Sequence, residues 1–134
     1  GRSHLFANFN RNKKSIVLDL KDERGQERFL DLAESADAVV EGFRPGVVDR
    51  LGVGYDAVRD RNEEVVYVSV SGYGQDGAYV EAAGHDLNYI AISGVLELTG
   101  ETDEPPTIPG VPVGDYVGGF VTAVFVTISL SIRR

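Results

Sequence analysis

Apolar residues fall into two rhythms along this chain, and the rhythms alternate. "SIVLDL" (Ser15 to Leu20) is short, apolar and β-branched, which predicts a strand. Asp22 can then cap a helix running to about Ser35, because Phe29, Leu30 and Ala33 fall on one face while Glu23, Arg24, Glu27 and Arg28 stay outside. "ADAVVEGF" supplies a second strand ending near Glu41. "RPGVVDRLG" and "YDAVRDRN" predict short helical turns, with Pro45 suited to a first turn and Gly52 to a stop. "EVVYVSVSG" (Glu64 to Gly72) reads as a third strand with a continuous apolar centre. Strands separated by helices predict an α/β fold, a parallel sheet covered on both faces. The three strands should lie side by side, with the Asp22 helix crossing over in the right-handed sense.

After Gly72 the character changes. "GYGQDGAYVEAAG" is a glycine-rich loop of the kind that sits beyond a strand's carboxyl end, where open α/β sheets bind ligands. Asp86 to about Leu98 predicts a helix packed through Leu87, Ile90, Ala91 and Gly94. "TGETDEPPTIPGVPVG" is irregular. A last helix is expected from Asp115 into "VGGFVTAVFVTISLSI", where Gly118 and Gly119 allow close backbone approach. The Val, Thr and Ile content of that run keeps a strand in competition. The chain thus divides into a sheet portion, about 1–80, and a loop-and-helix portion, about 81–134.

Composition narrows the function. At 134 residues the chain is one domain or a piece of one. With 21 acidic against 13 basic residues it carries a net charge of −8, which argues against nucleic acid as a partner. Lysine is scarce (Lys13, Lys14 and Lys21), a bias resembling proteins of salt-loving, halophilic organisms; an ordinary acidic soluble protein is the plain alternative. The absence of cysteine removes disulfides and thiolate metal sites. The most apolar run, "GGFVTAVFVTISLSI", reads as too short and too interrupted by Thr and Ser to span a membrane, so no membrane partner is expected. No signal peptide is visible, which makes a cytoplasmic location the default expectation.

Several chemistries lack their motifs. There is no GxSxG elbow and no phosphate loop, and "LGVGY" neither follows a strand nor completes a dinucleotide fingerprint. His4 and His85 are the two histidines, with no spacing suited to zinc. His85, Asp86 and Asp115 remain. In the plain reading His85 is structural, Asp86 caps its helix and Asp115 caps the next. In the functional reading His85 and Asp115, both at helix starts and facing a glycine-lined cleft, move protons.

"NRNKKSIVLDLK", "EGFRPGVVDRLGVGY", "VSVSGYGQDGAY", "GHDLNYIAISGVL" and "DYVGGF" occur in this order from about Phe6 to Phe120. The series resembles the family III CoA-transferases, most closely their alpha-methylacyl-CoA racemase branch. The resemblance implies a Rossmann-like sheet with flanking helices, present here as a partial CoA-binding domain that is incomplete relative to the family. It places the two acid/base residues at His85 and Asp115, 30 positions apart. It implies that Gly84, Asp86, Asn88 and Tyr89 line the acyl-CoA thioester and that Leu18, Asp19, Leu20 and Lys21 form a strand end touching the adenosine. Arg44 and Arg50 fall where the family places arginines near CoA phosphates, a task suited to a guanidinium fork; for Arg50 a solvated surface role is the plain alternative. No metal or separate cofactor is implied, since coenzyme A arrives as part of the acyl-CoA substrate. An interlocked homodimer is implied as well.

The implied reaction inverts the α-carbon of a 2-methylacyl-CoA. One base removes the α-proton, the conjugate acid opposite returns one, and first-turn amides of the Asp86 helix help the enolate oxygen. In the transferase branch the aspartate at position 115 instead attacks a thioester and passes CoA to another acid. The histidine of "GHD" favours the racemase. A non-catalytic CoA-binding or oligomerisation piece is the third reading.

Overall fold

A computed structural model of the chain describes residues 3–133. It opens with a helix that the sequence pattern does not predict, α1 (His4–Phe9), whose Phe9 ring packs 6.1 Å from that of Tyr116. The next helix, α2 (Glu23–Glu34), starts where expected: the Asp22 carboxylate accepts the Arg24 N–H at 3.0 Å. Strand β1 (Ala38–Glu41) follows, then the short helices α3 (Val47–Arg50) and α4 (Tyr55–Arg61), and strand β2 (Val66–Ser69). The two strands pair in parallel, Ala38 opposite Val66 and Glu41 opposite Ser69.

The expected strand at Ser15–Leu20 does not form: among the described residues the sheet has two strands. A strand is a property of its ladder, and neither β1 nor β2 pairs with this segment. Val17 is 93% exposed. Asp19 instead forms a turn, accepting the Lys21 N–H on its side chain at 3.0 Å and the Asp22 N–H on its carbonyl at 3.2 Å. The α2 helix therefore leads out of a turn and is not a crossover between strands. Gly25 makes the close packing possible, since a Cβ there would lie 1.9 Å from the Asp19 carbonyl oxygen.

Helices cover both faces of β2. Tyr67 meets the Tyr55 ring of α4 edge-on at 5.8 Å, while the next residue, Val68, looks onto the last helix. The helix α4 is held to α2 by Arg61 and Glu27 at 2.7 Å, a pairing that raises the guanidinium pKa, and by Asn62 Nδ2, which donates to the carbonyls of Ala33 and Ala36. Ala33, Val48, Val53, Val58 and Ile90 are the buried hydrophobic side chains among the described residues.

Two further helices complete the chain, α5 (Asp86–Ile92) and α6 (Val113–Ile132), with a 3-10 turn at Leu96–Thr99 between them. The α5 helix is shorter than expected because Gly94 adopts φ 80°, which stops it before Leu98. Its N-cap is His85, so Asp86 is the first helical residue and not the cap. The α6 helix begins two residues ahead of the expected Asp115 and resolves the helix-or-strand competition. The hydroxyls of Thr122, Thr127 and Ser131 donate to carbonyls four residues back, which satisfies them inside the helix. At 20 residues α6 is long and apolar enough to cross a membrane by length and composition, which corrects the sequence reading of that run as too short. It lies along β2, and Arg133 at its end reaches Asp37, ahead of β1.

Candidate active site

The carboxyl ends of both strands open into one cleft of about 720 Å³. Its walls are Gly42–Pro45 after β1, Val70–Gly74 after β2, Ala82–His85 ahead of α5, Tyr89 within α5, and Gly114, Asp115, Gly118 and Gly119 on the first turns of α6. This is where an open parallel sheet binds ligands.

Local chemistry explains how His85 arrives there. Tyr89 donates its hydroxyl to the Gly84 carbonyl, and its ring meets Tyr73 edge-on at 5.2 Å. Tyr73 also packs 5.7 Å from Tyr79. The loop after β2 is thereby folded back onto α5. Gly72 is required for this, because a Cβ would lie 2.1 Å from the Tyr89 ring. At Gly84 a Cβ would lie 2.5 Å from the Tyr73 hydroxyl. The chain then enters α5 with the His85 N–H donating to Asn88 Oδ1 at 3.0 Å, half of a capping box. The His85 side chain is exposed on the cleft wall.

Asp115 reaches the same cleft from α6. The first-turn amides of that helix donate to Asp86: Oδ1 accepts both the Gly114 N–H and, at 3.2 Å, the Asp115 N–H. Asp86 thus caps a helix other than its own. Arg44 lines the cleft from the turn after β1, where its carbonyl accepts the Val47 N–H at 3.1 Å and Gly46 takes φ 75°. Among the lining residues Arg44 is the one fixed cation.

Of the residues singled out in the sequence, Arg44, Gly84, His85, Tyr89 and Asp115 line this cleft together. Asp86 and Asn88 do not line it; both are engaged with backbone amides. Arg50 lies outside the wall as well, with Nη1 3.4 Å from where a Cβ on Gly46 would be. Leu18, Asp19, Leu20 and Lys21 form the turn ahead of α2, outside the lining. Sequence reasoning missed the tyrosine cluster and the capping of α6 by Asp86. The glycines at 72 and 84 were a signal for the first, since each leaves room for a ring. Beyond the cleft, a second hollow of about 470 Å³ continues between β2 and α6, with Val68, Val70, Val121 and Phe125 in its walls.

The model of CoA-transferase family III matches residues 1–134. An acetyl-CoA:oxalate CoA-transferase of Acetobacter aceti is 42% identical over 119 residues, covering 88% of this chain and 31% of that protein. Human alpha-methylacyl-CoA racemase is 38% identical over 119 residues, covering 89% of this chain and 31% of the racemase. The crystal structure of a CaiB/BaiF family protein from Brucella suis superposes with a TM-score of 0.86 at 34% identity, over 90% of this chain and 32% of that one. The chain therefore spans about a third of the length of the relatives it matches. Relatives named as racemases and as CoA-transferases are both present, and on the match along its whole length the chain belongs to CoA-transferase family III.

Proposed function

We propose that this chain carries the proton-transfer face of an acyl-CoA racemase, which inverts the α-carbon of a 2-methylacyl-CoA. The observation that carries the reading is the meeting of His85 and Asp115, delivered by two different helices, on the wall of one cleft. An α-proton beside a thioester is weakly acidic, so its removal needs a base held at hydrogen-bonding reach. Neutral His85 takes the proton from one face, and the electron pair moves to the thioester oxygen as an enolate. The leading amides of α5, which starts directly behind the wall residue His85 and leaves them without partners inside the helix, are the donors we assign to that oxygen. Protonated Asp115 returns a proton to the opposite face, the enolate collapses, and the configuration is inverted. The enzyme is left with imidazolium and carboxylate, which is the starting state for the reverse direction.

Arg44 is the residue we assign to a CoA phosphate, on its place at the cleft and its fork of donors. The apolar hollow between β2 and α6 supports a path for the acyl chain away from the reacting carbon. A second reading draws support from relatives named as CoA-transferases, among them a succinyl-CoA:glutarate CoA-transferase of Mus musculus. In that reading the Asp115 carboxylate attacks the thioester and expels CoA as thiolate, leaving a mixed anhydride. The thiolate attacks the aspartyl carbonyl, releasing the first acid and leaving an aspartyl-CoA thioester. A second acid then displaces CoA to form a new anhydride, and the thiolate attacks its acyl carbonyl, giving the new acyl-CoA and free Asp115.

The two reactions separate in heavy water with one enantiomer of a 2-methylacyl-CoA and no acceptor acid. The racemase reading predicts inversion with deuterium at the α-carbon. Retained configuration and protium, together with movement of CoA once a second acid is added, would give the transferase.

A further inference from the structure

We infer that Asp86 is a positioning residue for Asp115, an inference that rests on the acid/base reading above. The leading N–H groups of a helix have no partner within it. The α6 helix begins behind Pro112, which offers no side chain to receive them. Two of these groups, on Gly114 and Asp115, converge on a single oxygen, Asp86 Oδ1. The cap is therefore supplied by α5, from the residue next to His85.

Three observations make this more than a cap. First, one of the two N–H groups that Asp86 receives belongs to Asp115 itself and the other to the residue before it, so the anchor acts on the backbone that carries the reacting carboxyl. Second, Asp86 does not line the cleft although His85 and Asp115 both do, so its carboxylate is committed to the contact between α5 and α6. Third, the neighbour at Gly114 is a glycine whose absent Cβ would stand 3.1 Å from that same oxygen, which permits the approach. One dipeptide, His85–Asp86, thus places the first proton-transfer group and anchors the second. A hydrogen bond from an amide to a carboxylate is stronger than one between neutral groups. Without it the first turn of α6 frays, and Asp115 loses its fixed distance to the α-carbon.

The test compares Asp86→Ala with Asp86→Asn, which keeps an acceptor oxygen in place. Amide hydrogen exchange on this chain should show protection of Gly114 and Asp115 lost in Asp86→Ala and kept in Asp86→Asn. In the intact protein, α-proton exchange is followed for each enantiomer separately. Asp86→Ala should slow, by about tenfold or more, the exchange that Asp115→Asn also removes, and should change the exchange served by His85 by less than about threefold, with KM little altered. Asp86→Asn should restore most of the loss. Equal losses for the two enantiomers, an Asp86→Asn variant as slow as Asp86→Ala, or unchanged amide protection in Asp86→Ala would each overturn the inference. If Asp115→Asn itself favours neither enantiomer, the acid/base reading fails, and the amide protection still decides whether Asp86 holds the turn.

Discussion

Arg133, just past the end of α6, pairs with Asp37, just ahead of β1, with Nη2 2.7 Å from Oδ1. The same guanidinium donates to the backbone carbonyl of Glu64, ahead of β2. The helix is therefore fixed at both ends, by Asp86 at the cleft and by Arg133 where the strands begin. Its direction against the sheet, and with it the placing of Asp115, follows from these two anchors. Arg133→Ala should lower stability by about 1 kcal/mol, because a partly exposed ion pair contributes little and the backbone bond somewhat more. Denaturant unfolding at low and high salt checks this, since the ion-pair share should shrink with salt. A change below measurement at low salt would remove Arg133 as an anchor.

Tyr67 carries the opposite lesson. Its hydroxyl is buried with no hydrogen-bond partner, and burial, followed by the charges of Glu41 and Asp49, pushes its pKa up to about 12. The folded value stands above the ordinary 10.0, so this group's contribution to stability is intact below about pH 10 and is lost as pH rises through about 12. Tyr67→Phe should remove that part of the alkaline decline. At neutral pH it should cost less than about 1 kcal/mol, because the hydroxyl has no bond to lose. Unfolding measured at neutral and alkaline pH separates the two effects. A loss of several kcal/mol at neutral pH would mean that the hydroxyl has a partner.

Gly72→Ala tests how the loop behind His85 is built. A methyl group at this position meets the Tyr89 ring at 2.1 Å, so the ring must move and its bond to the Gly84 carbonyl must break. The expected loss is about 1 to 3 kcal/mol. Near-ultraviolet circular dichroism should change with it, since Tyr73, Tyr79 and Tyr89 pack together. An unchanged tyrosine signal would contradict the packing of Tyr73 against Tyr79 and Tyr89.

Much of the fold could be read from the chain because its determinants are local. Asp22, the apolar face at Phe29, Leu30 and Ala33, and the runs around Val39 and Val68 each act within a few residues. The same reasoning failed at Ser15–Leu20, where composition fits a strand but no neighbour pairs with it. In α6 the β-branched content pointed both ways; the helix forms, and the hydroxyls of Thr122 and Thr127 are accommodated in it by donating to carbonyls four residues back. At the cleft, His85 and Asp115 stood out by residue type and by resemblance. The role of the Asp86 side chain did not, because its partners lie 28 and 29 residues away and appear only when α5 meets α6.

The resemblance put both Arg44 and Arg50 near CoA phosphates, with a solvated surface role as the alternative for Arg50, and the two differ in the structure. Arg44 lines the cleft and Arg50 lies over Gly46, outside its wall. Arg44→Ala should weaken CoA binding by about 1 to 3 kcal/mol, as expected for a direct charge-assisted contact, and Arg50→Ala should cost less. A short acyl thioester lacking the nucleotide should be insensitive to both. Titration calorimetry with CoA and with the truncated thioester is the measurement, and equal losses for the two ligands would return Arg44 to the role of a surface charge.

The most direct test of two-base chemistry is α-proton exchange in heavy water, read for each enantiomer in His85→Ala and Asp115→Asn of the intact protein. Each base serves one face of the α-carbon, so His85→Ala should lose exchange of one enantiomer by about 100-fold or more while the other changes far less. Asp115→Asn should show the opposite bias. If Asp115→Asn abolishes CoA transfer between acids while His85→Ala costs little, and hydroxylamine traps an acyl adduct on Asp115 in the parent protein, the reaction is transfer. Full exchange of both enantiomers in both variants would contradict the assignment of His85 and Asp115 altogether.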